Sequence, residues 1–203
     1  MHTFIGIILA AGAGSRMGGP KALLRFDDGA TLLERQCGML LEGGCSRIGV
    51  VIGAAAPEIR LAHPAIPARW LLNELWEQGQ FTSLQIGIKG MHATESDGAV
   101  VLPVDVAGVS DAIISALIDA AICNPHLDAI IPEYNGRGGH PVLLSSRFCE
   151  LLAGLDPSDE RSRLDVQMAA NKNTLRVPVG DPHVVKNINT PDEWESYRKT
   201  AHR

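Results

Sequence analysis

No two of the four cysteines, at positions 37, 45, 123 and 149, form a Cys-x-x-Cys pair, and they lie in apolar surroundings such as Ala121-Ile122-Cys123. Such spacing excludes a zinc knuckle or a disulfide framework and predicts buried, reduced thiols, the pattern of a cytoplasmic protein. Positive charge is also in deficit: 18 Lys and Arg stand against 23 Asp and Glu, for a net charge of −5. Without a basic stripe there is no partner surface for nucleic acid, and the expected ligand is a small anion met by local cations. No apolar run approaches the ~20 residues of a membrane span, so no membrane partner is expected. The apolar stretch Phe4 to Ala11 lacks the basic flank of a signal peptide. Internal repeats, low-complexity segments and linkers are absent too, and 203 residues suit one domain spanning 1–203.

What the chain does have is a glycine-rich loop with two cations. Residues 9 to 21 read Leu-Ala-Ala-Gly-Ala-Gly-Ser-Arg-Met-Gly-Gly-Pro-Lys and follow the apolar run Phe4-Ile5-Gly6-Ile7-Ile8. A buried strand opening into glycines lets backbone N–H groups approach an anion, while Arg16 and Lys21 supply full positive charge. The loop reads as a polyphosphate site. A Walker-type P-loop is excluded, because Pro20 separates Gly19 from Lys21 and Ala22 stands where Ser or Thr would hold magnesium. The dinucleotide fingerprint fails by one residue of spacing between Gly14 and Gly18. The second apolar run also ends in Gly53-Ala54-Ala55-Ala56, with no acidic residue for a ribose.

Strand-length apolar runs at Ile5 to Leu9, Ile48 to Ile52, Arg69 to Leu72, Ala99 to Leu102, Ala129 to Ile131, Val142 to Leu144 and Thr174 to Val179 alternate with segments of helical period. The early runs are continuous rather than alternating, as in parallel strands covered on both faces. Thr31-Leu-Leu-Glu34 is a capping box for a helix to about Glu42; further helices are predicted over Gln80 to Met91, Asp111 to Cys123 and from Pro191. The pattern predicts an α/β fold with a doubly wound, mostly parallel sheet, whose ligands bind beyond the carboxyl ends of the strands. The run Val100-Val101-Leu102 leads into Pro103-Val104-Asp105, putting a carboxylate at the same sheet edge as the glycine loop. Beside a triphosphate, such a carboxylate suits magnesium; as a cap for the helix near Ser110 it stands too far away.

Several motifs together resemble the MobA-like nucleoside triphosphate transferases, and among them most closely the molybdopterin (molybdenum cofactor) cytidylyltransferase branch. They are the loop from Leu9 to Lys21, the strand-end Asp105, Asn73-x-x-Trp76-x-x-Gly79 with Ser83-Leu84, Gly138-x-His140-Pro141-Val142, and Asn187-Ile188-Asn189-Thr190-Pro191. The resemblance runs in order from about residue 4 to 194. It implies a Rossmann-like nucleotidyltransferase fold and Mg2+-dependent transfer of a nucleotidyl group from an NTP to a phosphorylated small molecule such as molybdopterin, releasing pyrophosphate. By this resemblance Gly12, Gly14, Arg16 and Lys21 cradle the triphosphate and Asp105 binds the metal. Leu9, Ala10, Ala11, Asn73, Gly79 and Ser83 surround the nucleobase. Ala at position 11, where guanylyl-transferring relatives carry Gly, implies CTP. His140 and Arg163 fall where the family places the acceptor, and a molybdoenzyme would receive the finished cofactor.

Two departures accompany the resemblance. Relatives' Asp-x-Pro is Asp105-Val106-Ala107 here, and their Asp-Ile-Asp-Thr-Pro is Asn187-Ile188-Asn189-Thr190-Pro191. Asn189 retains a carbonyl oxygen for a metal but no charge; its other reading is a plain part of the last helix's N-terminus. Asn73 serves either the base or the turn after its strand, Trp76 reads as a core anchor, and Glu160 to Arg163 reads either as acceptor-side or as a solvated face. The Asp-to-Asn changes motivate an alternative of another class, a nucleotide-binding cofactor chaperone or sensor without turnover; guanylyl transfer is the alternative within the class.

Overall fold

The computed structural model describes residues 2–200. Within them one sheet of eight strands carries helices on both faces. The strands are β1 (Phe4–Ala10), β2 (Ile48–Ile52), β3 (Ala68–Leu72), β4 (Gly98–Pro103), β5 (Ala129–Tyr134), β6 (Arg137–Gly138), β7 (Val142–Ser145) and β8 (Thr174–Pro178). The α-helices are α1 (Leu32–Glu42), α2 (Ala56–Ala62), α3 (Gln80–Gly90), α4 (Asp111–Cys123), α5 (Ser146–Gly154), α6 (Leu164–Ala170) and α7 (Pro191–Thr200).

Strand order is β3-β2-β1-β4-β7-β5-β8, with the two-residue β6 continuing the β7 edge of β5. Pairing is parallel except at β7, which runs antiparallel to β4 and β5, and at the β5–β6 hairpin. The chain turns outward from β1 toward β2 and β3, then returns to β4 on the other side. β1 and β4 therefore flank a topological switch point, where the carboxyl-end loops part and leave a cleft.

All seven residues of β1 are buried, because successive side chains feed two separate cores. Phe4, Ile8 and Ala10 join α1 and α4 through Leu33, Leu40, Ile114 and Leu117. Ile5, Ile7 and Leu9 join α3 and α5 through Leu84, Ile88, Phe148 and Leu152. A third, smaller cluster of Phe26, Leu32, Ala107, Ile188 and Trp194 seats α7 and anchors the segment before Asn189. Thr31 caps α1 as predicted, its Oγ1 accepting from Glu34 N while the Glu34 carboxylate accepts from Thr31 N.

Three short helices, α2, α5 and α6, go beyond the sequence reading. Their apolar stripes are brief, and α6 buries no residue. α5 starts directly where β7 ends, with Ser145 as its cap. Cys123 corrects the expectation of four buried thiols: it is the last residue of α4, past the buried stripe, and is exposed. Burial pushes the thiols of Cys37, Cys45 and Cys149 up to about 12, so they are un-ionised at neutral pH. No helix of the described residues is long and apolar enough to cross a membrane.

Candidate active site

The loop after β1 is closed on itself: Met17 and Gly19 N–H groups both donate to Gly14 O, at 2.8 and 3.3 Å. Gly14 has φ +63°, and a Cβ there would lie 2.0 Å from Gly19 O, so only glycine permits this turn. The N–H groups of Gly12, Ala13 and Gly14 have no acceptor within the chain among the described residues. Only single 3₁₀ turns follow, at Ser15–Met17 and Lys21–Leu23, and the first α-helix waits until Leu32. The loop therefore opens no α-helix of its own, and Arg16 and Lys21 are its sources of full positive charge.

A cavity of about 320 Å3 opens above the switch point, lined by Leu9, Ala10, Ala11, Gly12, Gly14, Arg16, Lys21, Gly79, Ser83, Asp105 and Asn189. Eleven of the sequence-selected residues thus share one cleft. At its polar end Lys21 Nζ donates to Asn189 Oδ1 at 2.9 Å and to Asp105 Oδ2 at 3.2 Å. Arg16 Nη2 reaches the same Asn189 oxygen at 3.5 Å. Both donors fix the orientation of the Asn189 amide. Its backbone N–H donates to the Glu193 carboxylate at 2.6 Å, which also accepts from Thr190 N, so the α7 cap holds Asn189 in place while its side chain serves the cleft.

Asp105 Oδ2 and Asn189 Oδ1 converge on a single ammonium. Two oxygen donors sharing one cation form the partial shell that magnesium takes from protein, the remainder coming from phosphates and water. The donor set fits such an ion. No group of three or more His, Cys, Asp or Glu among the described residues forms an all-protein metal site.

Asn73 is not in the cleft. It is fully buried, donating from Nδ2 to Thr82 Oγ1 and Ser83 Oγ at 3.0 and 2.9 Å and accepting from Leu75 N at 2.9 Å. Both Nδ2 hydrogens and one lone pair of Oδ1 are taken by the chain, so the side chain shapes the turn into α3. Gly79 caps that helix at φ +106°. Trp76, read as a core anchor, is both: it packs on the α3 core and lines the cavity. Gln80 and Pro103, not selected from the sequence, line the cavity too. Trp76 and Gln80 flank the selected Gly79, so their neighbourhood in sequence was the available signal.

His140 and Arg163 line a second, adjoining cavity of about 830 Å3 that shares Leu9, Gly79, Gln80 and Pro103 with the first. Its walls include Phe81, Leu84, Val101, Leu164 and Met168. Arg163 is already paired with Asp165 by two hydrogen bonds, at 3.1 and 2.8 Å. His140 is held by its N–H to Val184 O at 2.7 Å, and its Nδ1 is buried without a partner. Burial lowers its pKa and the Asp105 charge opposes that, leaving a neutral imidazole at pH 7. A group entering this cavity would meet an uncharged ring with only Nε2 to offer, because Nδ1 is buried.

The MobA-like NTP transferase domain matches residues 6–172. Nicotine blue oxidoreductase of Paenarthrobacter nicotinovorans is 30% identical over 164 residues, 78% of this chain and 79% of that protein. A probable molybdenum cofactor guanylyltransferase of Mycolicibacterium paratuberculosis is 30% identical over 172 residues, 84% of this chain and 78% of that one. The crystal structure of Rv0371c from Mycobacterium tuberculosis H37Rv superposes with a TM-score of 0.82 at 24% identity, covering 98% of both chains. A manganese complex of Rv0371c superposes at 0.78.

Proposed function

The chain belongs to the MobA-like NTP transferase family and is a nucleotidyltransferase; we propose that it transfers CMP from CTP to the phosphate of a molybdopterin-like acceptor, with Mg2+, and that 1–203 acts as one transferase domain. The observation that carries this reading is the convergence of Arg16, Lys21, Asp105 and Asn189 in one cleft at the switch point. An acceptor phosphate is a nucleophile at neutral pH, so the protein has no proton to remove. Its task is to bring two anions into line and accommodate the charge that gathers on the leaving pyrophosphate.

Arg16 and the loop N–H groups take the triphosphate, and Lys21 exchanges its hold on Asp105 and Asn189 for phosphate oxygens. Those two oxygens would then hold Mg2+, which supplies further charge neutralisation. Leu9, Ala10 and Ala11 bound the base, and the Ala11 methyl is the residue-level support for CTP. The adjoining cavity takes the acceptor body, with His140 orienting it through an uncharged hydrogen bond. Melting temperature with each of CTP, GTP, ATP and UTP plus Mg2+ tests the reading. CTP at about 100 times Kd adds roughly 2.7 kcal/mol, and the effect disappears in Asp105→Ala; no response to any nucleotide overturns it.

Guanylyl transfer is the second reading, carried by relatives named molybdenum cofactor guanylyltransferase; stabilisation by GTP over CTP would select it. The relative named nicotine blue oxidoreductase raises a redox reading. Against it stand a glycine loop that feeds no α-helix and a β2 end without a ribose carboxylate. Saturable binding of a nicotinamide dinucleotide would restore it.

A further inference from the structure

Gln36 is the one polar member of the buried face of α1, among Leu32, Leu33, Cys37 and Leu40. Its Nε2 donates to Val106 O at 3.0 Å and to Val104 O at 3.3 Å, the carbonyls on either side of Asp105. The carbonyl between them, that of Asp105 itself, accepts from Ile188 N at 2.8 Å. Three consecutive carbonyls are thereby fixed, the outer two from α1 and the middle one from the segment that carries Asn189. Val104 N and Val106 N are held in turn by Leu9 O and Pro103 O, each at 3.1 Å. The backbone torsions that aim the Asp105 carboxylate are thereby restrained on both sides of the residue.

This arrangement leaves Gln36 Oε1 buried without a partner. Flipping the amide would press that oxygen against two carbonyl oxygens, so its orientation is determined. A helix that had only to pack here would do better with Leu or Met, which strand no polar atom. The buried amide is explained by what it holds. We propose that Gln36 is a positioning residue for the transfer reaction: it clamps the loop so that Asp105 faces Lys21 and the phosphate cleft. This rests on the reading of Asp105 as the carboxylate that holds the metal.

The test compares Gln36→Met, Gln36→Glu and Leu40→Ala with wild type. Leu40 lies one turn further along α1 and packs against β1 at Gly6. Two quantities are read: the Mn2+ dissociation constant by electron paramagnetic resonance, with the nucleotide that stabilises wild type, and the metal concentration for half-maximal pyrophosphate release. Gln36→Met raises both at least fivefold, whereas Leu40→Ala lowers the melting temperature and leaves both within twofold. Gln36→Glu behaves like Gln36→Met at pH 8 and recovers relative to wild type toward pH 6. There the introduced carboxyl, buried against two carbonyls, protonates and donates again. Equal shifts in Leu40→Ala, or Gln36→Met and Gln36→Glu that match wild type at every pH, overturn the inference alone. A wild type that binds no Mn2+ with any nucleotide overturns the reading of the site and this inference with it.

Discussion

Replacing Lys21 by Met keeps the stem and removes the ammonium that Asp105 and Asn189 share. At the 3.2 Å separation of Nζ and Asp105 Oδ2, the gross attraction at an effective dielectric of 20 is about 5 kcal/mol. Desolvation of both groups offsets most of it, and with the Asp105 side chain 23% exposed, water replaces the lost partner. The expected net loss of stability is about 1 kcal/mol, or about 2–4 °C in melting temperature for a chain of this size. Transition-state loss should be larger, about 3 kcal/mol by analogy with removal of one preorganised donor, which is a factor of about 150 in kcat/KM. Pyrophosphate release and thermal melting separate the two effects. A third readout has the opposite sign: without nucleotide, Lys21→Met should bind Mn2+ more tightly than wild type, because no ammonium then competes for the two oxygens. Turnover within threefold of wild type, or weaker Mn2+ binding without nucleotide, would refute the reasoning.

Other substitutions probe the loop, the scaffold and the acceptor side. Gly14→Ala drives a Cβ into Gly19 O, and a tenfold loss of nucleotide affinity would cut the ligand-induced stabilisation from about 2.7 to about 1.4 kcal/mol in a titrated melt. Asn73→Ala strands the Ser83 hydroxyl and the Leu75 N–H, while the Thr82 hydroxyl keeps its bond to Gly79 O, so denaturant unfolding should report a loss of about 2–3 kcal/mol. His140 carries a pKa lowered by burial, so below its ordinary value of 6.5 the unfolded chain binds more protons than the folded one. Stability therefore falls as pH drops from 7 toward 5, and in His140→Asn that part of the fall should vanish from the melting profile.

Features encoded in neighbouring residues were legible. The capping box at Thr31 and Glu34, the continuous run of β1 and the glycine loop each declare themselves within a dozen residues. Asp105 was legible because a strand-end carboxylate needs only its own strand to place it. The bonds of Lys21 to Asp105 and to Asn189 join residues 84 and 168 apart in sequence, and only the completed sheet and the α7 anchor bring them together. Asn73 shows the opposite limit: a polar residue beside a binding motif turned out to be spent on the turn into α3. Gln36 left a local mark, one amide on an otherwise apolar stripe, but its meaning depends on carbonyls about 70 residues away. The antiparallel insertion of β7 was hidden because its run of three apolar residues says nothing of direction.

The role proposed for the convergent cations and oxygens is nucleotidyl transfer. Its most direct test is pyrophosphate release from each of the four ribonucleoside triphosphates with Mg2+ and molybdopterin, in wild type and Asp105→Ala. Release from CTP should require both metal and acceptor and be lost in the variant. Nucleotide binding without release from any triphosphate would contradict that role and leave a binding protein in its place.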